Sequence, residues 1–176
     1  GVLSGDRLTV KVLGKDFSID RQAHLYSDIH VIPWVTEPFL TYVLNCRGEP
    51  VTGSWMSMRE LDGGKERYPL FRKRGEEAMK RVADVYTDLF DDMVHLFQGR
   101  QVDSRFDSDI SVILPVFPKV PLMLCYWKPA EGMESTLNLF FDQSVDANLG
   151  SGAAYMIGTG LTQMFETLAL RHGFSV

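Results

Sequence analysis

The sequence predicts a single α+β domain, residues 1–176, in which a mostly antiparallel sheet carries two long amphipathic helices. Three observations support this fold class. The length of 176 residues suits one domain with one hydrophobic core. Apolar residues make up 45% of the chain and charged residues 23%, which is typical of a soluble globular protein. Late in the chain, strand patterns follow one another at short spacing, and this order favours antiparallel pairing over a doubly wound parallel sheet.

The first half of the chain contains both strand and helix patterns. Polar and apolar residues alternate over 8–20, which predicts a β-hairpin with its turn at Gly14. Apolar spacing predicts a short helix over 35–46. Residues 51–61 have the pattern of an extended segment, and the glycines that follow predict a turn.

Two long amphipathic helices are predicted, over about 75–97 and 152–171, because their apolar residues keep the spacing of one stripe. Glu76 and its acidic neighbour fall in the first turn of the first helix, where the helix dipole favours negative charge. Gly158 and Gly160 either weaken the second helix locally or allow a close approach between helix and sheet.

Three strands are predicted in the second half of the chain, over 111–116, 120–127 and 137–141. Pro115 and Pro121 lie inside the first two of these strands. Proline has no N–H to donate to a strand ladder, so we expect a sheet edge or a bulge at these positions.

Composition excludes several classes of partner. The net charge of −5 argues against nucleic acid, and the basic stretch from Arg67 to Arg81 is interleaved with glutamates, as expected of a solvated helix. No apolar run is long enough for a membrane span, and no secretory signal pattern is present. Cys46 and Cys125 lie far apart among apolar neighbours, which indicates reduced thiols. We therefore expect a cytoplasmic protein with no nucleic-acid or membrane partner.

No cofactor or metal is expected either. Two cysteines are too few for a zinc ribbon or for an iron–sulfur cluster held by this chain alone. His24 and His30, with Asp28 between them, form the one local group of metal-ligand residue types, and a surface loop is the favoured interpretation. The chain has no phosphate-binding glycine loop, no dinucleotide fingerprint and no nucleophile elbow.

The segment from Gly53 to Leu61 is the best candidate for a ligand pocket. Trp55 could stack on a ligand and Arg59 could hold an anion, while the alternative is a plain antiparallel strand. Asp142 directly follows a buried apolar run. A carboxylate at the end of a strand either serves a functional site or caps a following helical turn, and the sequence favours the cap.

Three blocks of sequence, residues 42–74, 114–127 and 139–142, resemble the bacterial and archaeal family called domain of unknown function 3786. The resemblance covers roughly residues 8–165 and implies no established activity. Some members of that family resemble fusions with a cysteine-rich iron–sulfur segment, which implies an association with redox or corrinoid proteins. This chain lacks those cysteines, and residues 128–134 are less acidic than the family pattern.

Three functions are compatible with these observations. The first is a non-catalytic domain that binds a small ligand or a partner protein, and it requires the residues that carry the family blocks to converge. The second is an enzyme acting on an anionic small molecule, with Asp142 or Glu60 as its general acid or base. The third is an interaction protein that oligomerises, for example as a homodimer, through a sheet edge or an aromatic patch. The candidate ligand-binding residues are Trp55, Arg59, Glu60, Arg74, Trp127 and Asp142.

Overall fold

The computed structural model describes residues 1–27 and 33–176, and within them the chain has an α+β fold. The strands of these residues form two sheets, one of four strands and one of five, and every pair of neighbouring strands is antiparallel. The predicted fold class is therefore confirmed, with two sheets in place of one. None of the described helices combines the length and the apolar character that crossing a bilayer requires.

The small sheet contains the first four strands in sequence order, β1 (Val2–Ser4), β2 (Arg7–Val12), β3 (Lys15–Asp20) and β4 (Leu25–Ser27). The pairing of β2 with β3 confirms the predicted hairpin. Gly14 lies in its turn with a φ of +77°, a conformation that glycine adopts without steric cost. The N–H of Leu13 in the same turn donates to Pro115 O at 3.1 Å, and this bond joins the small sheet to the large one.

The extended segment predicted over 51–61 is shorter in the structure. After α1 (Pro33–Asn45), only β5 (Trp55–Ser57) is a strand, and a single 3-10 turn follows over Met58–Glu60. The turn has a local cause: Glu60 Oε2 accepts hydrogen bonds from the N–H and the hydroxyl of Ser57, both at 2.7 Å. This pairing favours a helical turn over continued extension.

The helix predicted over 75–97 is wrong in its boundaries. The helical segment begins earlier, as α2 (Gly64–Phe71), passes through one π-helical turn over Arg72–Glu76 and continues as α3 (Glu77–Val85). It then breaks, and α4 (Leu89–His95) forms a separate helix.

Tyr86 explains the break between α3 and α4. Its side chain is buried, its hydroxyl donates to Asp92, and His172 Nδ1 lies 3.3 Å from the same oxygen. The ring also packs against Phe174 near the C-terminus. These contacts hold Tyr86 at an extended ψ of 94°, outside the helical region, and two of them come from residues distant in sequence, His172 and Phe174.

The large sheet has the strand order β5-β9-β8-β7-β6, with β6 (Arg100–Val102), β7 (Ile110–Phe117), β8 (Val120–Trp127) and β9 (Thr136–Asp142). The three predicted late strands are confirmed. The register of β7 against β8 shifts between Pro115 and Phe117, as expected from the prolines. Leu137, Leu139 and Phe141 alternate along β9 and are buried in the main core.

The predicted C-terminal helix is confirmed as α6 (Ser151–Arg171), which follows the short helix α5 (Val145–Asn148). Its glycines lie where neighbouring side chains come close. A Cβ at Gly158 would lie 2.3 Å from the ring of Phe71 and 3.5 Å from Leu139, and a Cβ at Gly160 would lie 2.3 Å from Trp34. Both positions need glycine because no side chain fits there.

We expect Gly158→Ala to destabilise the protein by about 1–3 kcal/mol, because the new methyl group overlaps the buried ring of Phe71. The gain in helix propensity, about 1 kcal/mol, offsets only part of this cost. Urea denaturation would measure the change. Gly152→Ala in the same helix is the matched control: the nearest atom lies 3.9 Å away, so this variant should be neutral or slightly stabilised. Equal stability of the two variants would contradict the packing described.

Candidate functional site

The six residues predicted to bind a ligand do not lie together. Trp55 and Asp142 face each other across β5 and β9, whereas Trp127 lies opposite Thr136 at the other end of β9. Six residue steps along a strand correspond to about 20 Å. The two tryptophans therefore cannot line one small pocket.

The three remaining candidates lie on the helical side of the molecule. Arg59 lies over the ring of Tyr68, with its guanidinium carbon 5.9 Å from the ring centre. The carboxylate of Glu60 is bonded to Ser57, and these hydrogen bonds lower the pKa of Glu60 below its ordinary value. Arg74 is exposed on the π-helical turn. The convergence that the binding hypothesis requires is not found for this group.

Asp142 has a structural environment. It is fully buried, and its carboxylate accepts hydrogen bonds from the N–H groups of Thr52, Gly53 and Ser144 and from the Thr52 hydroxyl, at 2.7–3.2 Å. Burial raises the pKa of Asp142, but the hydrogen bonds from these residues outweigh burial and hold it below its ordinary value. The residue fixes the loop before β5 and the entry to α5.

A cleft of about 760 Å³ lies between the helical segment and the first residues of β9. Its volume is typical of small-molecule sites. The helical side contributes Tyr68, Arg72, Glu76, Glu77, Lys80 and Arg81, and the strand side contributes residues 133–138.

Glu76 is the distinctive group of this cleft. It is only 3% exposed, and its Oε1 accepts a hydrogen bond from the N–H of Leu139 at 3.1 Å. Burial raises the pKa of Glu76 to about 7, although the Leu139 N–H, the charge of Arg72 and the Tyr68 hydroxyl act in the opposite direction. A carboxyl group that titrates near neutral pH in a cleft is a functional-site candidate.

The π-helical turn determines where Glu76 lies. It inserts one residue into the helical repeat between Phe71 and Glu77, and such turns are frequent at functional sites. The hydroxyl of Thr162 on α6 donates to Gly75 O at 3.2 Å, which holds the turn against the core. Glu76 therefore faces β9 while its neighbour Glu77 stays exposed.

The other charges of the cleft already have partners. Arg72 lies 3.1 Å from Glu77, and Lys80 lies 3.3 Å from Glu134. Arg81 lies 3.9 Å from Glu166 on α6. Among the residues that the structure describes, Glu76 forms no ion pair within 4 Å. A ligand that complements this cleft therefore has to match one buried carboxylate.

A second depression of about 760 Å³ adjoins the cleft and shares Lys80, Glu134 and Ser135 with it. One of its two tyrosines, Tyr126, donates to Asp84 Oδ1 at 2.8 Å. Burial and this hydrogen bond raise the pKa of Tyr126 to about 12, so the phenol stays protonated at neutral pH. We regard the Glu76 cleft as the better candidate because the carboxyl group of Glu76 forms no ion pair with the described residues.

The sequence offers one group of metal-ligand residue types, around His24, and two thiols. No three His, Cys, Asp or Glu side chains cluster within residues 1–27 and 33–176. His24 is exposed, with its Nδ1 3.1 Å from Asp20 Oδ2, while Asp28 and His30 lie outside the described residues. Both cysteines are free, and burial raises the pKa of Cys125.

A family model described as Domain of unknown function (DUF3786) matches residues 1–164. The chain belongs to this family. No curated protein and no solved structure matches the chain. The Glu76 cleft of this DUF3786 member lies wholly within the matched residues, since it is lined by residues between Tyr68 and Asn138.

Sequence reasoning missed Glu76. In the sequence it is one of two adjacent glutamates inside a basic stretch, and nothing in the apolar pattern shows which of them is buried. The basic stretch itself could have drawn attention to the cleft, because Arg72, Lys80 and Arg81 line it. In the structure these cations form ion pairs, as the interleaved acidic residues indicated.

Proposed function

We propose that this DUF3786 protein is a non-catalytic binding domain that takes a small ammonium-bearing molecule in the Glu76 cleft. One observation carries the proposal: a buried carboxyl group lines a cleft of ligand size, and no cation of the described residues lies within ion-pair distance of it. An ionised carboxylate in such a place is costly unless a positive charge meets it. A bound ammonium group supplies that charge.

The remaining charges limit what else the ligand carries. The cations and carboxylates around Glu76 are paired with one another, so a strongly anionic ligand would have to break existing ion pairs. Ser135, Thr136 and Asn138 add polar groups along the strand side. A neutral or zwitterionic molecule with hydrogen-bonding groups fits this arrangement better than an anion.

The test is a thermal-shift and calorimetry panel of amino acids, amino-acid amides and their N-acetylated counterparts. We expect the ammonium compounds to stabilise the wild-type protein, and to bind more tightly as the pH rises through about 7, because Glu76 then ionises. Glu76→Gln should abolish binding, whereas Glu66→Gln, an exposed change outside the cleft, should leave it intact. Equal binding of the acetylated compounds, or full binding by Glu76→Gln, would contradict the proposal.

A second candidate function is supported by the pKa of Glu76. A carboxyl group that titrates near pH 7 is suited to general acid–base catalysis, and Arg72 lines the same cleft. Mass analysis of the ligand after prolonged incubation separates the two functions. A binding domain returns the molecule unchanged, while an enzyme returns a product whose formation is lost in Glu76→Gln.

A further inference from the structure

Within residues 1–27 and 33–176, part of the edge of β9 that borders the cleft has no neighbouring strand. β5 pairs with Phe140, Phe141 and Asp142 only, and then turns away into the 3-10 turn. Among the described residues, no strand pairs with Thr136–Leu139 on this side. The open edge spans four residues, or about 10 Å between its first and last Cα atoms.

Two hydrogen bonds show which backbone groups face this edge. The N–H of Leu139 donates to Glu76 Oε1, and the N–H of Gln143 donates to Ser54 O at 2.8 Å, so both point away from β8. Backbone direction alternates along a strand, which places the N–H and C=O of Leu137 on the same side. Leu137 lines the cleft and is 3% exposed, so these groups lie at its floor. In the described part of the chain no strand pairs with Leu137 on this side, and no turn, loop or side-chain hydrogen bond to either group is found there.

A strand edge with a free donor and acceptor is a template for an added strand. An extended peptide that exchanges both backbone bonds with Leu137 would satisfy these groups. Its length in the cleft is limited to about three residues, because the edge ends at Glu76 on one side and at the loop before β9 on the other.

Glu76 determines the direction of such a strand. A peptide antiparallel to β9 runs in the same direction as β5, so its first residue lies at the Leu139 end, next to Glu76. A parallel peptide would place its C-terminal carboxylate next to Glu76, and the two negative charges would repel each other. The negative charge of Glu76 therefore favours the antiparallel orientation of the peptide.

We propose that the cleft binds the free amino terminus of an extended peptide, which adds to β9 as an antiparallel strand with its α-ammonium group beside Glu76. This inference rests on the proposed function and specifies its ligand class. The second residue of the peptide lies opposite Leu137, and the ammonium group takes the position that would complete the ion pair of Glu76.

Calorimetry with a tripeptide amide of small apolar residues, such as Ala-Val-Ala, tests this assignment. We expect it to bind at least tenfold more tightly than alanine amide, because two backbone bonds to Leu137 are added. N-acetylation or Glu76→Gln should weaken binding by about 10- to 100-fold, since a charged hydrogen bond is lost. The same tripeptide with a free carboxyl end should bind as tightly as the amide.

N-methylation gives a control within the peptide itself. Methylation at the second residue removes the donor to Leu137 O and should cancel the tenfold gain, whereas methylation at the third residue affects an N–H that points away from β9. Hydrogen exchange of the Leu137 amide should slow on binding of the parent peptide. Equal effects of the two methylations, or unchanged exchange at Leu137, would overturn the strand-addition geometry.

The outcomes separate this inference from the proposed function. If alanine amide and the tripeptide bind equally, both depending on Glu76, strand addition is wrong and the ammonium site stands. If neither binds, both proposals fail. The same tripeptide sequence displayed on a flexible leader of a small folded carrier distinguishes protein amino termini from free peptides. Binding of the carrier supports the first source, and binding of the free peptide alone supports the second.

Discussion

Replacement of Asp142 by alanine is expected to lower the free energy of unfolding by about 3–5 kcal/mol, as is typical when a buried, charged hydrogen-bonding group is removed. The carboxylate is fully buried and accepts bonds from three backbone N–H groups and one hydroxyl. Without it, these donors lose their acceptor in a place that water reaches poorly. The loop of Thr52 and Gly53 would detach from β9, and the pairing of Trp55 with residue 142 would be weakened. Urea denaturation measures the change.

Two further measurements define this expectation for Asp142. Gln143→Ala, an exposed change next to it, should alter stability by less than about 0.5 kcal/mol. The pKa of Asp142 is depressed in the folded state, so its contribution is present above the unfolded pKa and is lost as pH falls through the lower folded value. A loss below about 1 kcal/mol for Asp142→Ala would show that the loop is held by other contacts.

The opposite result is expected for Glu76→Gln, which should make the protein more stable at pH 8 by about 2–3 kcal/mol. Folding raises the pKa of Glu76 from 4.5 to about 7. The folded state therefore binds a proton that the unfolded state has released between these pH values, and wild-type stability falls as pH rises through this window. A shift of this size corresponds to roughly 3 kcal/mol at about 1.4 kcal/mol per unit. Glutamine carries no charge and keeps an oxygen for the Leu139 N–H.

Denaturation curves at pH 5 and pH 8 provide the measurement. Glu76→Gln and wild type should be nearly equal at pH 5, where Glu76 is protonated, and should diverge at pH 8. The groups facing Glu76 are Tyr68, Arg72, Glu77 and the Leu139 N–H. Burial raises the pKa of Tyr68 above its ordinary value, so this phenol stays neutral from pH 5 to pH 8. Glu66→Gln should show no such divergence, and parallel curves for wild type and Glu76→Gln would contradict the burial of this carboxyl.

Higher stability of Glu76→Gln at pH 8 would also be informative about function. Residues kept for binding are often unfavourable for stability, because their charge is buried before the ligand arrives. Asp142 and Glu76 illustrate the contrast, since both are buried carboxyl groups on or against β9. Asp142 accepts hydrogen bonds from three backbone N–H groups of the fold, whereas Glu76 accepts one from the Leu139 N–H, lies near the Tyr68 hydroxyl and lines a cleft.

The regular parts of the fold could be predicted because short-range patterns determine them. The hairpin of β7 and β8 follows from two apolar runs around Pro118-Lys119, and α6 follows from its apolar stripe. The helix predicted over 75–97 was wrong because Tyr86 leaves the helix for contacts with His172 and Phe174, which no local pattern reports. Long-range contacts of this kind override helix propensity.

The candidate site was harder to predict for a related reason. Trp55, Trp127 and Asp142 were grouped by chemical type, and only strand pairing shows that the tryptophans lie at opposite ends of β9. The sequence pattern places Glu76 in the first turn of a helix that begins at about residue 75. The π-helical turn changes that phase, and its hydrogen bonds leave no distinct signature in the sequence.

The π-helical turn also makes the cleft unusually sensitive to chain length. Deleting one residue between Phe71 and Glu77 would restore an ordinary α-helix without touching the core strands. Because the π-helical turn absorbs one extra residue, α3 would keep its phase relative to α2, and the residues of the turn itself would be repositioned. Glu76 belongs to this turn, so it would lose the position from which it accepts the hydrogen bond of the Leu139 N–H. A deletion of one residue in this turn is therefore expected to alter the cleft while the buried faces of α2 and α3 stay in place.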